Sequence, residues 1–79
     1  MNSTTEKKKR RFPYRKPEQI EADIFDEEER LGQLQAEMLL PEVLRDGIKM
    51  KRLHTTLQET EETLQRLYEH YEEALEMNG

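Results

Sequence analysis

Between Ile48 and Met77 apolar side chains return as Met50, Leu53, Leu57, Leu64, Leu67, Tyr71 and Ala74, with Thr60 in the one gap. The steps alternate between three and four residues, the repeat of a coiled-coil seam. Met50, Leu57, Leu64 and Tyr71 take the a positions, and Leu53, Thr60, Leu67 and Ala74 the d positions. Nearly everything off the seam is polar. A helix with one narrow apolar stripe cannot cover it alone, so this segment needs a partner helix.

The partner is written earlier in the chain. Between Pro17 and Met38 the same repeat reads Ile20, Ile24, Glu27, Leu31, Leu34 and Met38. In an antiparallel pairing, facing residue numbers have a nearly constant sum. Met38–Met50, Leu31–Leu57 and Ile24–Leu64 each give 88, while Leu34–Leu53, Glu27–Thr60 and Ile20–Leu67 each give 87. The two polar intruders, Glu27 and Thr60, therefore fall in one layer. The spacing predicts an all-α fold, an antiparallel two-helix coiled-coil hairpin with a flexible basic N-terminal arm. The expected divisions are an arm over residues 1–16 and a hairpin over 17–79, with helices at about 17–40 and 48–77 and a connector at 41–47.

Composition bounds this reading. Of 79 residues only 33% are apolar, too few for a multilayer core, and 39% are charged, as in solvated long-helix proteins. With about six apolar or mixed layers the hairpin is expected to be marginally stable, because chain entropy offsets most of the burial. There is no cysteine, hence no disulfide framework and no thiolate metal site. No apolar run approaches the roughly 20 residues that span a bilayer, and no signal-peptide pattern opens the chain. The expectation is a soluble, cytoplasmic, monomeric protein with no membrane contact.

The net charge of −5 conceals an asymmetry. Residues 1–16 carry seven basic side chains (Lys7, Lys8, Lys9, Arg10, Arg11, Arg15 and Lys16) against Glu6 alone, a net of +6. Residues 17–79 carry the other six basic and seventeen acidic side chains, a net of −11. The two parts suit different partners.

The arm has no apolar period, and Phe12, Pro13 and Tyr14 break its basic run with an extended, aromatic-bearing piece. One reading is a solubilising linker with Phe12 or Tyr14 folded over the open end of the hairpin. The other is a phosphate-binding arm, since clustered cations attract a polyanion and an aromatic ring can stack on a base. The two are compatible. Pro17 suits a first helical turn, and Glu18, Glu21 and Asp23 complement the positive helix end. Pro41 ends the first helix, and Asp46-Gly47 supplies turn chemistry before the second. Between them Glu42, Val43 and Leu44 are expected to form a short turn that plugs the tip. Arg45, Lys49, Lys51 and Arg52 make that tip basic, read either as charge balance or as a second polyanion contact.

Glu27 is placed to accept a hydrogen bond from the Thr60 hydroxyl, a polar layer that costs stability but fixes the helix pairing. Phe25 lies off the seam as a lone exposed aromatic, and Gly32 interrupts the first helix at a cost of about 1 kcal/mol relative to Ala. No phosphate loop is present, His54 and His70 lack zinc-ligand spacing, and the acidic clusters Asp26–Glu29, Glu61–Glu62 and Glu72–Glu73 read as solvated faces. The chain by itself is not expected to be an enzyme or to take a cofactor.

The run KKRRFPYRKPEQIEADI, the connector LPEVLRDG and the ending LQRLYEHYEEALE resemble, in order and spacing, the C-terminal coiled-coil domain of ABC-F proteins, closest to their Uup-like branch. These are ATP-binding-cassette ATPases without transmembrane domains. The resemblance covers residues 7–77 and implies a helical hairpin that follows two ATPase domains through a basic linker. It further implies a ribosome-associated or DNA-binding setting, with nucleic-acid contact through Lys7, Lys8, Lys9, Arg10, Arg11, Arg15 and Lys16 and through Arg45, Lys49, Lys51 and Arg52 at the tip. Glu27 replaces a usual apolar residue of that family, and Tyr71 stands where a tryptophan is frequent. Both ATPase domains are missing, so the resemblance implies one domain of a longer protein, with Met1 an artificial start. ATP hydrolysis would belong to the rest. A different class of function, a protein-interaction coiled coil using Phe25 or the seam, stands as the alternative.

Overall fold

A computed structural model describes residues 10–78, so Lys7, Lys8 and Lys9 lie outside the described residues. Three helices follow in order: α1 (Pro17–Met38), α2 (Pro41–Leu44) and α3 (Gly47–Asn78). The described residues are all-helical apart from the segment before Pro17 and two short connectors.

Each helix boundary has a local cause. Lys16 precedes α1 in an extended conformation (φ −71°, ψ 140°), with Pro17 in the first turn. The Lys16 carbonyl accepts from the Gln19 and Ile20 amides at 2.9 and 3.2 Å. Gln19 Oε1 in turn accepts from the Lys16 amide at 3.3 Å, one half of a capping box. A lysine side chain has no acceptor to supply the other half.

α1 stops at Met38, short of the expected end near Leu40. A residue before proline is pushed out of the helical region, and Leu40 is extended (φ −67°, ψ 137°). Pro41 then starts the single turn of α2. Of the two apolar side chains expected to plug the tip, Val43 is fully buried, whereas Leu44 is 60% exposed. Asp46 caps α3: its Oδ1 accepts from the Lys49 amide at 3.1 Å and its carbonyl from the Met50 amide at 2.9 Å. No glycine among the described residues has positive φ, so Gly47 opens the helix rather than forming a left-handed turn.

The long helices run in opposite directions. The Tyr71 hydroxyl donates to Glu21 at 3.2 Å and that of Tyr68 to Glu28, so partners rise along α1 as they fall along α3. Hydrogen bonding to these carboxylates raises both tyrosine pKa values. Every seam position named from the sequence is buried or half-buried. Ile20, Ile24, Leu64 and Ala74 form the buried cluster, with Leu31, Leu67 and Tyr71 packed against it. The core is thus densest near the start of α1, and the described residues form a rod of 62 × 19 × 13 Å. Among the described residues no helix is long and apolar enough to cross a membrane.

The polar layer differs from expectation. Glu27 and Thr60 do share one small groove with Arg30, Thr56, Glu59 and Thr63. The Thr60 hydroxyl, however, donates to the Thr56 carbonyl one turn back, at 2.8 Å, rather than to Glu27. A threonine in a helix always has that carbonyl within reach, and the local acceptor wins over one across the seam.

Candidate nucleic-acid interface

The α1 end of the rod is built from the basic segment and the last turns of α3. In the antiparallel pairing Ala74 lies opposite residues 13 and 14, ahead of the first turn of α1. Yet Ala74 is only 1% exposed and belongs to the buried cluster, and the segment before Pro17 binds its neighbours on α3. Phe12 stacks on the ring of His70, with centroids 4.7 Å apart and planes inclined by 16°. His70 is itself buried, and its Nε2–H donates to the Pro13 carbonyl at 2.8 Å. Glu73 accepts from the amides of both Arg11 and Phe12, the latter at 3.2 Å. These amides, the Arg11 one foremost, hold the Glu73 carboxyl below its ordinary pKa, with the charges of Arg10 and His70 adding to the effect.

The arginines are distributed around this docked segment. Arg11 pairs with Glu69 at 3.1 Å and also lies over the Phe12 ring at 5.1 Å. Arg10 lies 5.0 Å over the ring of Tyr14, which is 57% exposed. Arg15 pairs with Asp23 on α1 at 2.8 Å, and Lys16 is exposed. Glu69, Glu72, Glu73 and Glu76 line an open groove with Arg11. The last turn of α3 has no basic residue to balance the negative end of its dipole.

The candidate cations therefore fall into two groups. Arg10, Arg11, Arg15 and Lys16 gather at the α1 start. Arg45, Lys49, Lys51 and Arg52 sit at the opposite end, all of them exposed. The structure does not bring the groups together; the length of the hairpin separates them.

Two residues passed over in the sequence organise the first group. His70 has no zinc-ligand spacing in the sequence, and it is instead the buried platform for the arm. Glu73, read as part of a solvated face, binds two backbone amides. The signal available was the g position of His70, beside Tyr71 on the seam, together with an aromatic in the arm. Reading it required knowing that α3 outruns α1.

Neither a curated protein nor a solved structure matches the chain significantly. The model of one family, described as the ABC transporter C-terminal domain, matches residues 5–76. That span takes in the described part of the arm, all of α1, the connector and α3 up to Glu76, and the chain belongs to the ABC transporter C-terminal domain family.

Proposed function

We propose that this domain is a non-catalytic nucleic-acid-binding appendage of a cytoplasmic ATP-binding-cassette ATPase of the ABC-F, Uup-like kind. Its basic arm contacts the phosphates of DNA or ribosomal RNA, and the parent's ATPase domains lie before it in the chain. The observation that carries the reading is the exposed Arg10–Tyr14 pair on a segment of net charge +6. A cation placed beside an open aromatic face supplies both elements used to hold single-stranded nucleic acid, charge for the backbone and a ring for a base.

The acidic body repels a polyanion, so the affinity depends on the arm. Arg11 and Arg15 are already paired, but exposed ion pairs are worth only about 0–1 kcal/mol. A phosphate can therefore displace Glu69 or Asp23 at little cost. Docking of Phe12 and Pro13 on His70 limits the freedom of the residues that follow, which lowers the entropy lost on binding.

The test is a binding titration against duplex DNA, single-stranded DNA and RNA at several salt concentrations. Each neutralised phosphate releases condensed counterions, so four or five engaged cations give a log–log salt slope of about −4 on duplex. Replacing Lys7, Lys8, Lys9, Arg10 and Arg11 by Gln is expected to weaken binding to every sequence and to flatten that slope. Unchanged affinity and slope in this variant would rule out the arm as the binding element.

A further inference from the structure

The end of the rod remote from the arm carries apolar side chains that contact with a polyanion does not explain. Of the large apolar side chains exposed by the fold, Leu39, Leu40, Leu44 and Ile48 lie within ten consecutive residues of the connector, at 74, 43, 60 and 71% exposure. Single exposed leucines are ordinary, but such a concentration at a turn, where polar residues are the rule, marks an interaction site. Only Val43 of this segment is needed to close the hairpin. Next to it runs a groove of about 410 Å³ lined by Ile48, Leu53 and Thr56 with Asp46, Lys49 and Arg52. Arg45, Lys49, Lys51 and Arg52 stand against Glu42 and Asp46, and Asp46 is committed to capping α3. An apolar surface with a basic rim thus terminates an otherwise acidic body.

We infer that the tip is a docking surface for an acidic amphipathic helix of a partner protein. Phosphates and sugars are held by cations and hydrogen-bond donors, and bases by aromatic rings; four aliphatic side chains serve neither purpose. A membrane surface is flat and favours a long amphipathic helix lying in its plane, whereas here the apolar residues are spread over two caps, the single turn of α2 and the first turn of α3. The open groove lined by Ile48 and Leu53 accepts a ridge of apolar side chains from a helix, with the anchors at i, i+3, i+4 and i+7. The four cations select acidic residues flanking that ridge, since like charges opposite them are repelled. A second copy of this chain offers no such helix among its described residues, because the apolar stripes of α1 and α3 already fill one another.

The experiment follows backbone amide shifts of the isotopically labelled full chain with four probes. They are a synthetic amphipathic peptide with Leu at i, i+3, i+4 and i+7 and Glu elsewhere, the same peptide with Lys for Glu, a duplex oligonucleotide, and vesicles of anionic phospholipid. The acidic peptide is expected to shift Leu39, Leu40, Leu44 and Ile48 saturably, and the Lys peptide to do so at least about tenfold more weakly. Replacing Leu44 and Ile48 by Ser removes only exposed groups, so the helical circular dichroism is retained while affinity for the acidic peptide falls about tenfold or more. The inference is overturned if the acidic peptide leaves these amides unmoved or binds the double variant equally well. Shifts at the same amides caused by the duplex, by the vesicles or by raising the protein concentration alone would assign the tip to those partners instead.

Discussion

At the scale of single residues, the Glu27–Thr60 layer shows how a local competitor redirects a polar contact. Thr60 is only 4% exposed, yet its hydroxyl is satisfied inside its own helix by Thr56. The Thr56 carbonyl also lies in the helical ladder, so removing the hydroxyl orphans nothing. Glu27 is half-buried and gains no partner from Thr60. Replacing Glu27 by Leu and Thr60 by Val together is therefore expected to stabilise the hairpin by about 1 kcal/mol, the value of partly burying one large apolar side chain. A chemical-denaturation curve checks this, and a lower midpoint in the double variant would mean that Glu27 is structurally required. Gly32 faces open space, so no close approach of another group explains it.

At the scale of elements, α3 is the longer helix, and its last turns would be bare without the arm. Three interactions of different kinds meet there: the Phe12–His70 stack, the His70–Pro13 hydrogen bond, and the bonds from the Arg11 and Phe12 amides to Glu73. The last of these depends on pH. Because the folded state holds the Glu73 carboxyl below its ordinary pKa, its contribution is present above the unfolded value and is lost as pH falls through the depressed one. Hydrogen exchange should show the Arg11 and Phe12 amides losing protection on acidification below the ordinary carboxylate range. Replacing Glu73 by Ala should remove that protection at neutral pH. Protection that survives the substitution would assign the docking to the Phe12–His70 stack and the His70–Pro13 hydrogen bond.

At the scale of the whole molecule, both halves of the seam lie in one chain and fill one another. The hairpin is expected to be a monomer, and light scattering at tens of micromolar should return about 9.6 kDa. A stable dimer would mean that α1 and α3 pair between chains. The rod also keeps its two basic groups apart, one beside the acidic end of α3 and one around exposed leucines. Equal charge in the sequence thus becomes two unlike surfaces.

The helical class, the pairing of α1 with α3 and the placing of Glu27 and Thr60 in one layer, though not a bond between them, were legible in the sequence, because a heptad stripe has a single way to be covered and matched numbering fixes its partner. The break at Pro41 was legible too, since proline acts on its immediate neighbour. The roles of His70 and Glu73 were not. They depend on α3 extending past Pro17, and whether an overhang is covered by solvent or by a remote segment is a tertiary competition that no local pattern encodes. The same holds for the tip, where Val43 and Leu44 are equally apolar in sequence. Only the direction in which each leaves a single helical turn buries one and exposes the other.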